Sequence, residues 1–125
     1  MPIVIRQPYA THYVVIVLTS DDHDSEVFSY LGFVSRENLK ILQGEPKGYK
    51  QPAEAARSGK EVIRYFCGDC GTPLWAAAES APETYSIKLA MFGNSLPPAM
   101  EIFWKHAHDW QKPIVPAEMV FEEWY

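Results

Sequence analysis

The sequence predicts a small all-β domain, and three observations carry that expectation. Apolar and polar residues alternate with period two in Glu61 to Phe66 and in Tyr85 to Leu89. A β-branched run fills Tyr13 to Leu18, which suits a buried strand. Ten prolines and seven glycines punctuate the intervals and leave little room for long helices. At 125 residues the chain is long enough for one domain with its own core and too short for two comfortable ones. With 47% hydrophobic and 14% aromatic residues, a packed globule is expected rather than a disordered tail.

Taken in order, Tyr13 to Leu18 is the first strand, and Val27 to Val34 is a second apolar and aromatic run broken by Gly32. Asn38 to Leu42 is a short strand candidate that ends at the turn signal Gly44-Glu45-Pro46. Gln51 to Ser58, with Ala53, Ala55 and Ala56, has helical propensity without an amphipathic stripe, so a loop or a single helical turn is expected. In Glu61 to Phe66, Ile63 and Tyr65 face one side while Val62 and Phe66 flank Arg64 on the other. Tyr85, Ile87 and Leu89 alternate with Ser86 and Lys88 in the same way. The sum is roughly seven or eight short strands, with no internal repeat and no linker.

The charge balance excludes some functions. Net charge is −5, and Lys and Arg are scattered rather than clustered, so nucleic acid is not an expected partner. The apolar run Tyr13 to Leu18 is far too short to span a membrane, and Met1 to Ile5 lacks the charged start and long apolar stretch of a secretory signal. A soluble, cytoplasmic protein acting on small molecules is the expectation.

One motif names a chemistry. Phe66-Cys67-Gly68-Asp69-Cys70-Gly71-Thr72-Pro73 holds both cysteines of the chain in a Cys-Gly-x-Cys-Gly arrangement. Two thiolates separated by two residues can grip one tetrahedral metal from a single tight turn, and the glycines let the backbone fold back toward the sulfurs. A redox Cys-x-x-Cys would open a helix behind a strand, whereas Thr72-Pro73-Leu74-Trp75 carries no helical pattern. A structural disulfide suits a secreted chain rather than this one. What remains is a zinc knuckle, or a relic of one whose partner ligands are gone: a structural zinc takes four donors and the cysteines supply two.

Three ordered blocks then resemble one family. Val27-Phe28-Ser29-Tyr30 through Ser35-Arg36-Glu37-Asn38 to Gln43-Gly44-Glu45-Pro46-Lys47, then Arg64-Tyr65-Phe66-Cys67-Gly68-Asp69-Cys70-Gly71-Thr72-Pro73-Leu74-Trp75, then Ile102-Phe103-Trp104-Lys105 with Asp109-Trp110, Pro113 and Phe121-Glu122, are similar to the glutathione-dependent formaldehyde-activating enzymes and centromere protein V. The resemblance covers about residues 27–125 and sets residues 1–26 apart as a divergent segment. It implies a β-tent of small stacked antiparallel sheets that carries zinc. In enzymatic members it implies a carbon–sulfur lyase or synthase that joins glutathione to formaldehyde or another small electrophile. An early Cys-x-Cys and the later Cys-x-x-Cys hold a structural zinc in that family, and only the later pair carries over, to Cys67 and Cys70. The family's Cys-His-Cys-x-x-Cys segment for a catalytic zinc aligns its cysteines with Val15, Val17 and Ser20 and its histidine with Ile16.

Two accounts of residues 1–26 follow: valines fill the space of lost thiolates and metal, or this segment is not the family's own start. The resemblance therefore implies a lyase using glutathione as co-substrate, with its catalytic zinc ligands missing. The alternative is a non-catalytic β-tent scaffold or binding module, forming a homodimer. Among other donors, Asp21-Asp22-His23-Asp24 could give a metal His23 and a carboxylate, although short Asp-rich runs are more often solvated turns. His106 and His108 would share a face on a strand, most simply an exposed strand end, and His12 reads as a strand histidine. Trp75, Phe103, Trp104 and Trp110 read as core and sheet-face packing.

Overall fold

The computed structural model describes residues 4–6, 11–18, 28–56, 58–92 and 96–123, with only the backbone described for 4–6 and 11–15. Nine strands occur among these residues: β1 Val4–Arg6, β2 Thr11–Leu18, β3 Phe28–Ser35, β4 Lys40–Gln43, β5 Lys47–Gln51, β6 Val62–Phe66, β7 Pro73–Ala78, β8 Thr84–Lys88 and β9 Met100–Ile102. The helical content among them is confined to 3-10 turns of three or four residues, one of them Ala53–Ala55 after Pro52, where a single helical turn is expected. The protein is a small all-β domain. No helix among the described residues is long and apolar enough to cross a membrane.

Seven strands form one mixed sheet in the order β5-β6-β7-β8-β3-β2-β9, and β1 pairs with β4 in a separate two-stranded ribbon. All neighbours in the large sheet are antiparallel except β2 and β9, where Val15 to Val17 run alongside Met100 to Ile102. Central β7, Pro-Leu-Trp-Ala-Ala-Ala, buries Leu74, Trp75 and Ala77. The outer strand β5 leaves Lys47, Gly48, Tyr49 and Lys50 exposed, and lysines on an edge strand discourage further pairing. Its end is anchored by the buried Gln51, whose Nε2 donates to the Ala55 carbonyl at 2.8 Å and whose Oε1 accepts from Arg64 Nε at 3.0 Å.

Two apolar clusters hold the sheet. Val34, Leu74, Trp75 and Ile87 pack together with Tyr65, Tyr85, Met91 and Phe92 around them. Met100 and Ile102 form the second, covered by Val17, Leu31, Phe33, Phe103, Met119 and Phe121. The C-terminal segment is stitched down by backbone bonds, from Phe121 N–H to the Glu101 carbonyl at 2.8 Å and from Trp104 N–H to the Phe121 carbonyl at 2.9 Å. The buried Glu101 carboxylate accepts from Ile114 N–H at 3.0 Å, which fixes the loop between.

The tail departs from the sequence expectation. Phe103 adopts a left-handed backbone, φ 57°, which ends β9 after three residues and starts the 3-10 turn Trp104–His106. His106 and His108 therefore do not share a strand face: His106 stacks on Phe103 at 6.2 Å and His108 on Trp110 at 5.5 Å. Trp75 is core as expected, whereas Trp110 is 71% exposed and packs into neither cluster.

Candidate metal centre

The knuckle sits at the tip of the β6–β7 hairpin, between Phe66 and Pro73, where the period-two reading of the flanking strands puts it. Its turn is closed twice: Cys67 N–H donates to the Thr72 carbonyl at 2.9 Å, and Gly71 N–H donates to the Cys67 carbonyl at 2.8 Å. The two glycines do different work. Gly71 has φ +77°, a left-handed conformation that a side chain would strain. Gly68 makes room for the stem of Lys47 on neighbouring β5, since a Cβ there would stand 3.0 Å from Lys47 Cε. Residues 68–73 are all exposed, while Cys67 is buried at the root of the turn.

Both thiols are free and they meet. Cys70 Sγ lies 3.0 Å from Thr72 Oγ1 and shares a side-chain hydrogen bond with Cys67. The Thr72 hydroxyl, the Thr72 backbone N–H and the Cys67 thiol together hold the Cys70 thiol below its ordinary pKa, against smaller opposing pushes from desolvation and from the Asp69 charge. In the window between that lowered value and the ordinary one, Cys70 is thiolate in the folded protein and thiol in the denatured chain. Metal-free protein should therefore alkylate at Cys70 faster than denatured protein in that window, with the difference vanishing above the ordinary value, where both are ionised. Thr72→Val removes the largest cause and should move the profile back up. Site-resolved mass spectrometry of iodoacetamide labelling against pH reads this, and an unchanged profile in Thr72→Val would refute the assignment.

Beside the tip lies an open depression of about 530 Å³ lined by Gly44, Glu45, Lys47, Gly68 and Asp69. It arises because the Gly44-Glu45-Pro46 turn, with Gly44 at φ 84°, feeds β5 directly alongside the knuckle. Lys47 pairs in register with Phe66, the residue preceding Cys67.

The donor chemistry suits half of a tetrahedral zinc: two sulfurs in contact on one preformed turn. Among the described residues, no group of three or more His, Cys, Asp or Glu side chains could complete it. His23, with Asp21, Asp22 and Asp24, lies outside the described residues, as does Ser20. The backbone of His12 lies in β2. The other positions aligned with the catalytic segment lie on β2, where Val15, Ile16 and Val17 pair with Leu31, Tyr30 and Ser29. Ile16 is 3% exposed, and Val17 packs against the Met100 and Ile102 cluster.

A small, strand-built domain that presents a cysteine knuckle at a hairpin tip is the class that fold and site define. The family model described as glutathione-dependent formaldehyde-activating enzyme matches residues 21–106, well over half of the chain, and the chain belongs to that family. The match takes in the Asp-rich segment around His23 and stops at His106. No curated protein matches the chain.

Proposed function

We propose that this chain is a zinc-pinned, binding or scaffolding member of its family, with Cys67 and Cys70 as structural ligands and no working catalytic metal centre. The observation that carries this reading is the packing of β2: where the family resemblance places a histidine and a cysteine, Ile16 and Val17 point hydrocarbon into packed surroundings. Neither can donate an electron pair to a metal. Bringing His23 to the place of Val17, or Asp22 to that of Ile16, would slide β2 by six residues, which is costly because it abandons the pairing of Val15 to Val17 with both β3 and β9.

A zinc at the knuckle would be held by the Cys67 and Cys70 sulfurs and would supply cross-linking of β6 to β7 rather than bond chemistry. In a domain whose total stability is on the order of 5–15 kcal/mol, losing such a link is a large fraction. Cys67→Ser and Cys70→Ser should lower the melting temperature by at least about 5 °C relative to the zinc-loaded parent, and a chelator should do the same to the parent. Unchanged melting with loss of an activity would show that the cysteines are catalytic.

The second reading, a carbon–sulfur lyase using glutathione as co-substrate, is favoured by the family match itself, which spans the Asp22 and His23 segment. Following the glutathione–formaldehyde adduct by NMR with and without zinc separates the two. The spontaneous rate is expected throughout. Zinc-dependent acceleration lost in His23→Ala would establish the lyase reading instead.

A further inference from the structure

We propose that the knuckles of two copies of this chain meet across a two-fold axis and share one zinc ion, the partner's Cys67 and Cys70 supplying the missing pair of ligands. The proposal rests on the structural-zinc reading above and adds where the other half of the site comes from.

Four observations lead there. The chain has two cysteines, and the described residues group no third ligand with them. Cys70 stands at the tip of a hairpin whose residues 68–73 are exposed in succession, so a second body can approach its sulfur, with Cys67 buried directly behind it at the root of the turn. The turn is fixed by two backbone hydrogen bonds and the sulfurs are already in contact, so chelation requires little reorganisation. The surface around the tip also suits a copy of itself. In a two-fold interface residues at the axis meet their own copies, and away from it a contact between one residue and a different one is repeated in reverse. Here the depression beside the tip carries Lys47 together with Glu45 and Asp69, all exposed, so the cation of one copy can face an acid of the other, twice. An unrelated partner would need its own spaced thiolates, whereas a second copy has them by construction.

The test uses the whole chain purified with zinc. Elemental analysis with native mass spectrometry should give one zinc per two chains in a dimer, and a chelator should return monomers that reassemble when zinc is restored. Cobalt in place of zinc should show the charge-transfer and ligand-field bands of four thiolates. Cys70→Ser should be monomeric and metal-free. Should that variant fail to fold, Lys47→Glu keeps the question open to measurement. It leaves both thiols in place, should weaken the dimer by about tenfold through two lost ion pairs, and should form a mixed dimer with Glu45→Lys. One zinc per monomeric chain would overturn the sharing and leave the structural zinc standing. No zinc on any species would overturn both, and a dimer that persists in chelator and in Cys70→Ser would show that the copies meet elsewhere.

Discussion

Trp75→Ala is expected to cost about 3–5 kcal/mol, enough to leave a domain of this size mostly unfolded at moderate urea. The indole is 4% exposed, lies 5.3 Å from the Tyr65 ring and 5.9 Å from the Tyr85 ring, and joins three neighbouring strands across the larger cluster. Its Nε1–H is buried with no acceptor among the described residues. A buried donor without a partner adds a desolvation cost and no bond. Trp75→Phe should therefore be much milder than alanine, about 1–2 kcal/mol, because it loses packing volume and no hydrogen bond. Urea titrations of both variants check this. If phenylalanine costs as much as alanine, the indole N–H is engaged and the packing account fails.

Arg36→Ala is expected to cost about 2–3 kcal/mol. Arg36 follows β3, and its side chain reaches the connection between β7 and β8: Nε donates to the Thr84 carbonyl at 3.1 Å, and one terminal nitrogen to those of Ala78 at 3.2 Å and Ala81 at 3.4 Å. The guanidinium also lies 4.9 Å from the centre of the Tyr85 ring, and the Arg36 backbone N–H bonds the Glu83 carbonyl at 3.0 Å. The planar fork serves several carbonyls at once, which a lysine ammonium cannot reproduce. Arg36→Lys should recover less than half of the loss. Hydrogen exchange should show the damage at residues 79–84 first, and an effect spread evenly over the sheet would argue against a local clamp.

What could be read from the sequence was what local chemistry determines. Cysteine, glycine and proline mark the knuckle turn between Phe66 and Pro73, and Val62–Phe66 and Thr84–Lys88 are visible from the alternation of their residue types, although β6 is half-buried along its whole length and β8 buries only Ile87. Lys47–Gln51 was not legible as a strand. Lys-Gly-Tyr-Lys-Gln has no apolar alternation, and it is extended because β6 offers it a ladder. Val4–Arg6 and Met100–Ile102 are three residues each and likewise owe their form to partners far along the chain. The histidines near the tail misled for a different reason: a left-handed Phe103 is nothing a spacing rule anticipates. Of the candidate site, the cysteine pair and its turn were legible. The distinct duties of Gly68 and Gly71, and the Lys47 depression beside them, depend on strand order and were not.

The parallel seam between β2 and β9 also governs how the molecule comes into being. Antiparallel neighbours such as β6 and β7 can zip from a short hairpin, but the seam joins residue 15 to residue 100 and cannot form until everything between has been gathered in. Until then one margin of β2 stands open, with the apolar Ile16 and Val17 beside unsatisfied backbone groups, a surface prone to sticking to other nascent chains. The late arrival of Met100–Ile102, with Phe121 fastened to Glu101 behind it, is what turns that adhesive margin into interior.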